Sequence, residues 1–564
     1  MPVITQAADG SAMVEKSLPG ASLSPHILQR PGPTVHIGSF SQNPTWSYNS
    51  ASGFANSWRV EGCPLMRSRT VLALLWLVLA LPHVDTRYSY NWDSSQFERG
   101  VEHFDISRDR PHPPGYPLWI LALKGLTPMA GGRANSAQVI LALVFTAAAL
   151  LFFHSLAHQI LGDNAGLAAS VLLGFSALVC LYAITPLTYA VDLFASCSIG
   201  WLAARLWRGQ VHWAPPAFAL AAVTAGFRPS GATLLLPLLL LALWRAWRKQ
   251  PLYAAAGLLA GALFWLTWYV PTALLSGGFA ALAAMDRKQT IGAARSTSIF
   301  FGAPLAVHAH MVADVCIYFA LALAGLALPL AARWRARPRL PRPAMPLAAA
   351  PAFFALWLGP NLAVVCLFHC GEPGYVLLSL PPLVLLGSWL ASPVWNRPQW
   401  IAAAAAVGLA SGYFPYERFI NPAVATLPYQ LLRASPRLPG LLESSQRELR
   451  ELIDSLPGRS EEKLIFCIRQ RTEAPNIRTV TYEYPDVAWA DFNGPGLRVF
   501  APRGGALADR LPASVRSLGW LCDGAGLPPV LRARFPGTRR LAGNALFSFW
   551  AAWPDEYPRY HDLK

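Results

Sequence analysis

Six carboxylates crowd one stretch of this chain. They are Asp85, Asp93, Glu98, Glu102, Asp105 and Asp109, half of the twelve acidic residues between positions 66 and 439. RPHPPGYPLW follows directly and adds His112 and Tyr116. A carboxylate can take the proton of an attacking hydroxyl, and a neighbouring imidazole or phenol can orient that carboxylate or touch the substrate. The stretch is too aromatic for a solvated coil, with Tyr88, Tyr90, Trp92, Phe97, Phe104, Tyr116 and Trp119. Loop 85–135 also far exceeds the roughly 15 residues beyond which structureless connections become uncommon. SSQFERGVEHF predicts a short amphipathic helix with Phe97, Val101 and Phe104 on one face, and PGYPLWILALKGL a second helix at a membrane surface. Pro111, Pro113, Pro114 and Pro117 stiffen the approach. Such a loop suits the holding of one carboxylate over a lipid-linked substrate.

Other polar groups stand apart from their apolar surroundings. Arg228, in AGFRPSGATLLLPL, reads as a phosphate ligand through its bidentate fork, or as an arginine snorkelling at a helix end. Asp192 lies in an apolar run, roughly two turns from its end, with Tyr189 on the same helical face. A carboxylate there is costly and functional by default, the alternative being a structural hydrogen bond. LFHCGEPGYVLLSLPPL sets His369, Glu372 and Tyr375 at a turn. His369 and Tyr375 could contact phosphate or sugar, or the segment is a plain Pro-Gly turn. Asp314 lies four residues after His310 and six after His308, a spacing that puts only one histidine on its face, so no metal site is assigned. The eight cysteines include no CxxC pair; Cys366 with Cys370, or Cys467 with Cys522, could bridge on an oxidising side.

The elements that must carry these groups are membrane helices. Of 564 residues, 54% are hydrophobic and 13% charged, against about 25% charged in ordinary soluble chains. The net charge of +16 would suggest nucleic acid in a soluble protein, but +14 of it falls in 66–439, among the apolar runs. A nucleic-acid partner is therefore excluded, and membrane lipids are the expected surroundings. Apolar runs near 71–84, 136–160, 164–185, 186–206, 212–228, 229–246, 252–276, 305–332, 346–369, 374–392 and 399–415 predict about eleven transmembrane helices. The first run, behind Arg67 and Arg69, reads as an uncleaved signal-anchor. With those arginines cytoplasmic, Arg208, Arg248, Lys249, Arg397 and the basic segment RWRARPRLPRP all fall on the cytoplasmic side. Loop 85–135, loop 277–304, the turn 370–373 and the tail are then extracytoplasmic.

Residues 1–65, rich in Ser, Pro, Gly and Asn, read as a disordered tail or a mis-assigned start before Met66. The expected membrane domain spans 66–439. Residues 440–564 predict a small extracytoplasmic α/β domain: an amphipathic helix in SSQRELRELIDSL, then strands in EKLIFCIRQ, IRTVTYEYP, GLRVFAP, RSLGWLCDG and ALFSFWAAW. It holds no phosphate-binding glycine loop.

An aspartate just after the first span, then a His-Pro-Pro segment before the second, resembles the GT-C superfamily of integral-membrane glycosyltransferases. RPHPPGYPLW looks especially like a bacterial set within it. The resemblance implies a mainly α, polytopic fold in a bacterial inner or plasma membrane. It also implies transfer of a sugar, with inversion, from a polyprenyl-phosphate donor to a glycan, lipid or protein acceptor. By that likeness Asp93 takes the place of the base. Glu102, Asp105, His112 and Tyr116 would position acceptor or loop, and Arg228 with His369 would contact phosphate. Where many relatives carry a second acidic residue just past the aspartate, Ser94, Ser95 and Gln96 follow here, which weakens any inference of a metal; no cofactor is called for. The rival readings are a transporter of a lipid-linked precursor and a non-catalytic assembly factor of the same fold. The absence of an internal repeat speaks against the transporter.

Overall fold

The computed structural model describes residues 76–78, 80–86, 89–336, 350–416, 431–467, 484, 486–491, 498–500, 515–522, 539–541 and 547–552. Positions 71–75 and 79 of the first apolar run therefore lie outside the described residues, as do positions 1–65, the bulk of the basic segment 333–345 and nearly all of the expected strand in IRTVTYEYP.

Two short helices, α1 (Trp92–Glu102) and α2 (Pro117–Leu126), precede the bundle. The bundle contains α3 (Ala134–Leu161), α4 (Asp163–Gly174), α5 (Ala177–Ala183), α6 (Tyr189–Trp207), α7 (Ala214–Phe227), α8 (Pro229–Trp247) and α9 (Pro251–Leu275). It continues with α10 (Phe279–Thr297), α11 (Leu305–Ala322), α12 (Ala327–Ala336), α13 (Ala350–Ala363), α14 (Leu380–Leu390) and α15 (Pro398–Tyr413). Every expected run from 136 onward contains a helix. Among the described residues, however, five helices are each long and apolar enough to cross a bilayer, and the pair α4–α5, bent by 55°, makes a sixth. Run 305–332 is broken by a tight turn at Ala324–Leu326, and α7, α14 and α15 are shorter than the roughly 17 residues a full crossing takes. The result is a mainly α, polytopic membrane fold.

Short connections make the helices alternate in direction. α7 and α9 run parallel, with Gly257 against Ala214, Gly261 against Phe218, and the Trp268 indole donating to Ala222 O at 2.9 Å. α8 returns beside them. α6 and α8 also start together, Gly231 lying against Asp192. One end of the bundle thus gathers α1, α2, the start of α6, the α7–α8 turn, α10 and the segment 369–378. The other end gathers Arg208, Arg248, Lys249, Arg333 and Arg335. α6 is the central helix: every residue from Tyr189 to Gly200 is buried. Its hydroxyls find partners inside the bundle, Ser196 Oγ donating to Leu378 O at 2.6 Å and accepting from the Trp357 indole at 2.9 Å. α9 instead exposes Leu252, Leu259, Leu263, Leu266, Leu274 and Leu275, an outward apolar face suited to lipid.

α16 (Leu438–Ser455) crosses the expected domain boundary at 439/440. Leu438 and Leu442 join the bundle core, while Leu452 lies over Gly519 of the sheet beyond. That sheet has the order β3-β2-β1-β4-β6-β5, from β1 (Lys463–Cys467), β2 (Ala488–Asp491), β3 (Arg498–Phe500), β4 (Ser517–Cys522), β5 (Arg539–Leu541) and β6 (Phe547–Ala552). β2, β1 and β4 are parallel; β3, β6 and β5 pair antiparallel. Strands β2 and β5 were not expected at those positions. Cys366 and Cys370 are free thiols, and the side chains of Cys467 and Cys522 lie outside the description.

Candidate active site

α1 starts where its sequence says it should. Asn91 caps it, Oδ1 accepting from Ser94 N at 3.1 Å while Ser94 Oγ accepts from Asn91 N at 2.9 Å. Asp93 is thereby fixed in the first helical turn, where a negative charge is favoured by the helix N-terminus. Its carboxylate is about one-third exposed, the side-chain figure being 32%, and reaches His112 Nδ1 at 3.8 Å. Phe97 and Gly100, four and seven residues further along the same face of α1, are buried against the proline segment and α2. The sequence from Arg110 to Tyr116 folds into a tight cradle that presents His112 beneath Asp93. His112 Nδ1 bonds Gln96 Oε1, and Nε2 accepts from Tyr116 OH at 3.2 Å. Tyr116 adopts a left-handed backbone (φ 46°) that a bulky residue rarely takes, which turns its ring inward at the head of α2.

Burial holds His112 below the ordinary imidazole range, against the opposing pull of Asp93. The imidazole is therefore neutral at pH 7, a donor at Nδ1 and an acceptor at Nε2. Burial likewise raises Tyr116, so it stays a phenol. A group depressed in the folded state stabilises above its unfolded value, near 6.5, and loses that contribution as pH falls through the folded value. The thermal midpoint of the wild type in detergent should therefore drop more between pH 7.5 and 5.5 than that of a His112→Gln variant. Parallel curves would contradict a buried neutral His112.

Across from this cradle, Arg228 occupies the single-residue turn between α7 and α8, held extended before Pro229. It is 6% exposed, so it does not snorkel. Nε donates to Asp192 Oδ2 and Nη1 to Thr188 Oγ1, each at 2.5 Å. The guanidinium lies over the Tyr189 ring at 4.0 Å and faces Tyr375 at 5.6 Å. α6 begins at Tyr189, so Asp192 sits in its first turn and not two turns down as expected. Gly231 makes this pairing possible: a Cβ there would stand 2.3 Å from Asp192 Oδ1. Gly374 similarly admits the Tyr189 ring, which a Cβ would meet at 2.3 Å. Gly231→Ala should displace the Asp192–Arg228 pair. A misplacement of about 1 Å at a reacting centre costs about a hundredfold in rate, the loss expected in a transfer assay, and unchanged turnover would contradict the pair's role.

The third side is the turn 369–375. Glu372 is held by Arg433 at 3.5 Å and stands beside the Asn91 side chain, so this turn meets the cap of α1. Burial raises Glu372 above the usual carboxylate range, with Arg433 opposing. His369, lowered by burial, shares Nδ1 with Thr297 Oγ1 at 2.9 Å and has its ring 5.8 Å from that of Tyr375.

The structure thus brings Asp93, His112, Tyr116, Asp192, Arg228 and Tyr375 to one place, with His369 at its border. Glu102 lies exposed at the far end of α1. Asp105 serves its own turn, accepting from Ser107 N at 3.1 Å and Ser107 Oγ at 2.6 Å, with Arg108 at 3.4 Å. Neither projects into the cluster. Asn91, Gln96, Thr188 and Arg433 are members that the sequence reading did not select. Only Asn91 had a local signal, the Asn-x-x-Ser capping pattern before α1. Among the described residues no group of three or more His, Cys, Asp or Glu side chains could hold a metal ion.

In sequence, no protein-family model and no curated protein matches the chain. In structure it is similar to ArnT from Cupriavidus metallidurans bound to undecaprenyl phosphate, at TM-score 0.47 and 15% identity over 86% of this chain and 97% of that one. The apo form of the same protein gives TM-score 0.47 and 14% identity over 88% and 98%. An Archaeoglobus fulgidus oligosaccharyltransferase in complex with Zn and sulfate gives TM-score 0.38 and 12% identity over 86% and 72%.

Proposed function

We propose that this chain is an inverting glycosyltransferase of the GT-C type, which moves a sugar from a polyprenyl-phosphate donor to an acceptor hydroxyl at the extracytoplasmic membrane face. One observation carries the reading: a partly exposed carboxylate, Asp93, and a buried cation, Arg228, converge at one end of a membrane bundle. His112 and Tyr116 stand within the electrostatic reach of both. The basic residues at the opposite end of the bundle support an extracytoplasmic site.

The acceptor oxygen attacks the anomeric carbon and its proton passes to Asp93. The bond from that carbon to the phosphate oxygen breaks, and the electron pair leaves with the polyprenyl phosphate. Arg228, its plane fixed by Asp192 and Thr188, offers the leaving phosphate a preorganised charge. His112, neutral and locked between Gln96 and Tyr116, positions the Asp93 carboxylate. Glu372 and Arg433 hold the cap of α1, and so the base, against the turn 369–375. Tyr375 and His369 border the volume left for the sugar.

The test is turnover. Purified protein in lipid, given radiolabelled polyprenyl-phosphate sugars and a glycolipid extract, should release polyprenyl phosphate and label the acceptor. Movement of intact donor between the leaflets of a vesicle, without turnover, would support the transporter reading instead.

A further inference from the structure

Beside the proposed site lies a second recess that the chemistry above does not use. It is a cavity of about 390 Å3 between α9 and α10, within the roughly 300–1,000 Å3 typical of ligand pockets. Pro114 and Pro229 form its inner wall, so it opens two residues from His112 and one from Arg228. α10 follows the end of α9 at the site end of the bundle and lines the recess with buried Leu282, half-buried Asp286 and exposed Thr290 at successive four-residue steps. The other wall is aromatic. The Trp265 and Tyr269 rings stack face to face, 20° apart with centroids at 4.0 Å, which leaves their outer faces and edges for a ligand, and Trp268 is pinned by its bond to Ala222 O.

An apolar tail would need no carboxylate here. Yet Asp286 is half-buried in the lining, with Thr290 and Arg287 beside it. Flat aromatic surface with a carboxylate, a hydroxyl and a guanidinium is the chemistry that recognises a sugar ring. C–H bonds lie on the negative face of the rings, and ring hydroxyls bond the polar groups. Arg287 adds a cation for an anionic substituent. Resting on the proposed transferase reading, we infer that this cavity binds a sugar ring of the acceptor, with Trp265 and Tyr269 as platform and Asp286 as the hydroxyl-binding group. Free glycans and glycolipid headgroups share that chemistry. A glycolipid would also lay its chains on the exposed leucines of α9.

Saturation-transfer NMR on the full chain in nanodiscs tests this without any need for turnover. Methyl pyranosides and long-chain alkyl pyranosides are the probes. Ring protons should be saturated with the wild type, and at least tenfold less with Tyr269→Ala and with the conservative Asp286→Asn. Stronger saturation of the alkyl form, lost in both variants, identifies a glycolipid; equal saturation of both forms identifies a free glycan. Equal ring saturation in wild type and variants, or equal binding of a sugar-free alkyl alcohol, overturns the inference. Where turnover is present, the same variants should raise the acceptor KM at least tenfold with donor KM and kcat kept; an unchanged acceptor KM also overturns it. Sugar binding that depends on Tyr269 and Asp286 in a protein that turns over no donor would keep the subsite and reject the transferase.

Discussion

Replacing Asp93 with Asn is expected to lower sugar transfer by about 10²–10⁴-fold, the range a general base contributes. Folding and membrane insertion should be unaffected. Asn has the same shape, and the capping of α1 depends on Asn91 and Ser94, not on Asp93. The carboxylate is partly exposed, and among the described residues its polar neighbour is His112 at 3.8 Å, too far for a strong bond in the resting state. The variant should keep its donor KM, because the group acts on the acceptor proton. Steady-state kinetics together with the thermal midpoint check both halves. Full activity in the variant would remove Asp93 from the mechanism.

Arg228 should show the second large effect, and of a different kind. Arg228→Met leaves Asp192 buried without its partner, which costs about 3–5 kcal/mol. Loss of transfer in that variant alone would be ambiguous, since the bundle itself is weakened. The double variant Arg228→Met with Asp192→Leu removes both charges and should recover most of the stability, because a buried pair replaced by apolar groups is often neutral. It should not recover transfer, because the leaving phosphate then meets no cation. Denaturation midpoints and donor KM, measured on all three proteins, separate the two roles. A double variant with wild-type turnover would show Arg228 to be structural only.

What the sequence made legible follows from distance along the chain. Asp93, His112 and Tyr116 lie within one loop, where proline spacing and capping residues act locally, but Asp93 stood out from its five acidic neighbours only by a likeness of motif. The Asp192–Arg228 pair is 36 residues apart and forms because two helices start side by side at Gly231. Each partner stood out as a charge in an apolar run, but nothing local joined them. Arg433 sits in no apolar run, and its partner Glu372 is 61 positions away; only the packed bundle brings them to the cap of α1. Helix ends were read less well than helix existence, because Pro and Gly break apolar runs at places hydropathy does not register. The bent α4–α5 pair and the turn after α11 are of that kind. Glu102 and Asp105 were chosen for their place in an acidic cluster, but the helical turn carries one away from the site and the chain reversal at Ser107 uses the other.

Direct displacement at the anomeric carbon leaves a stereochemical record. With enzyme in excess over a labelled polyprenyl-phosphate sugar of known configuration, one turnover should release one equivalent of polyprenyl phosphate. The transferred sugar should carry the opposite anomeric configuration by NMR, with no label on the protein. Retained configuration, or a glycosylated protein, would contradict displacement assisted by Asp93 as base.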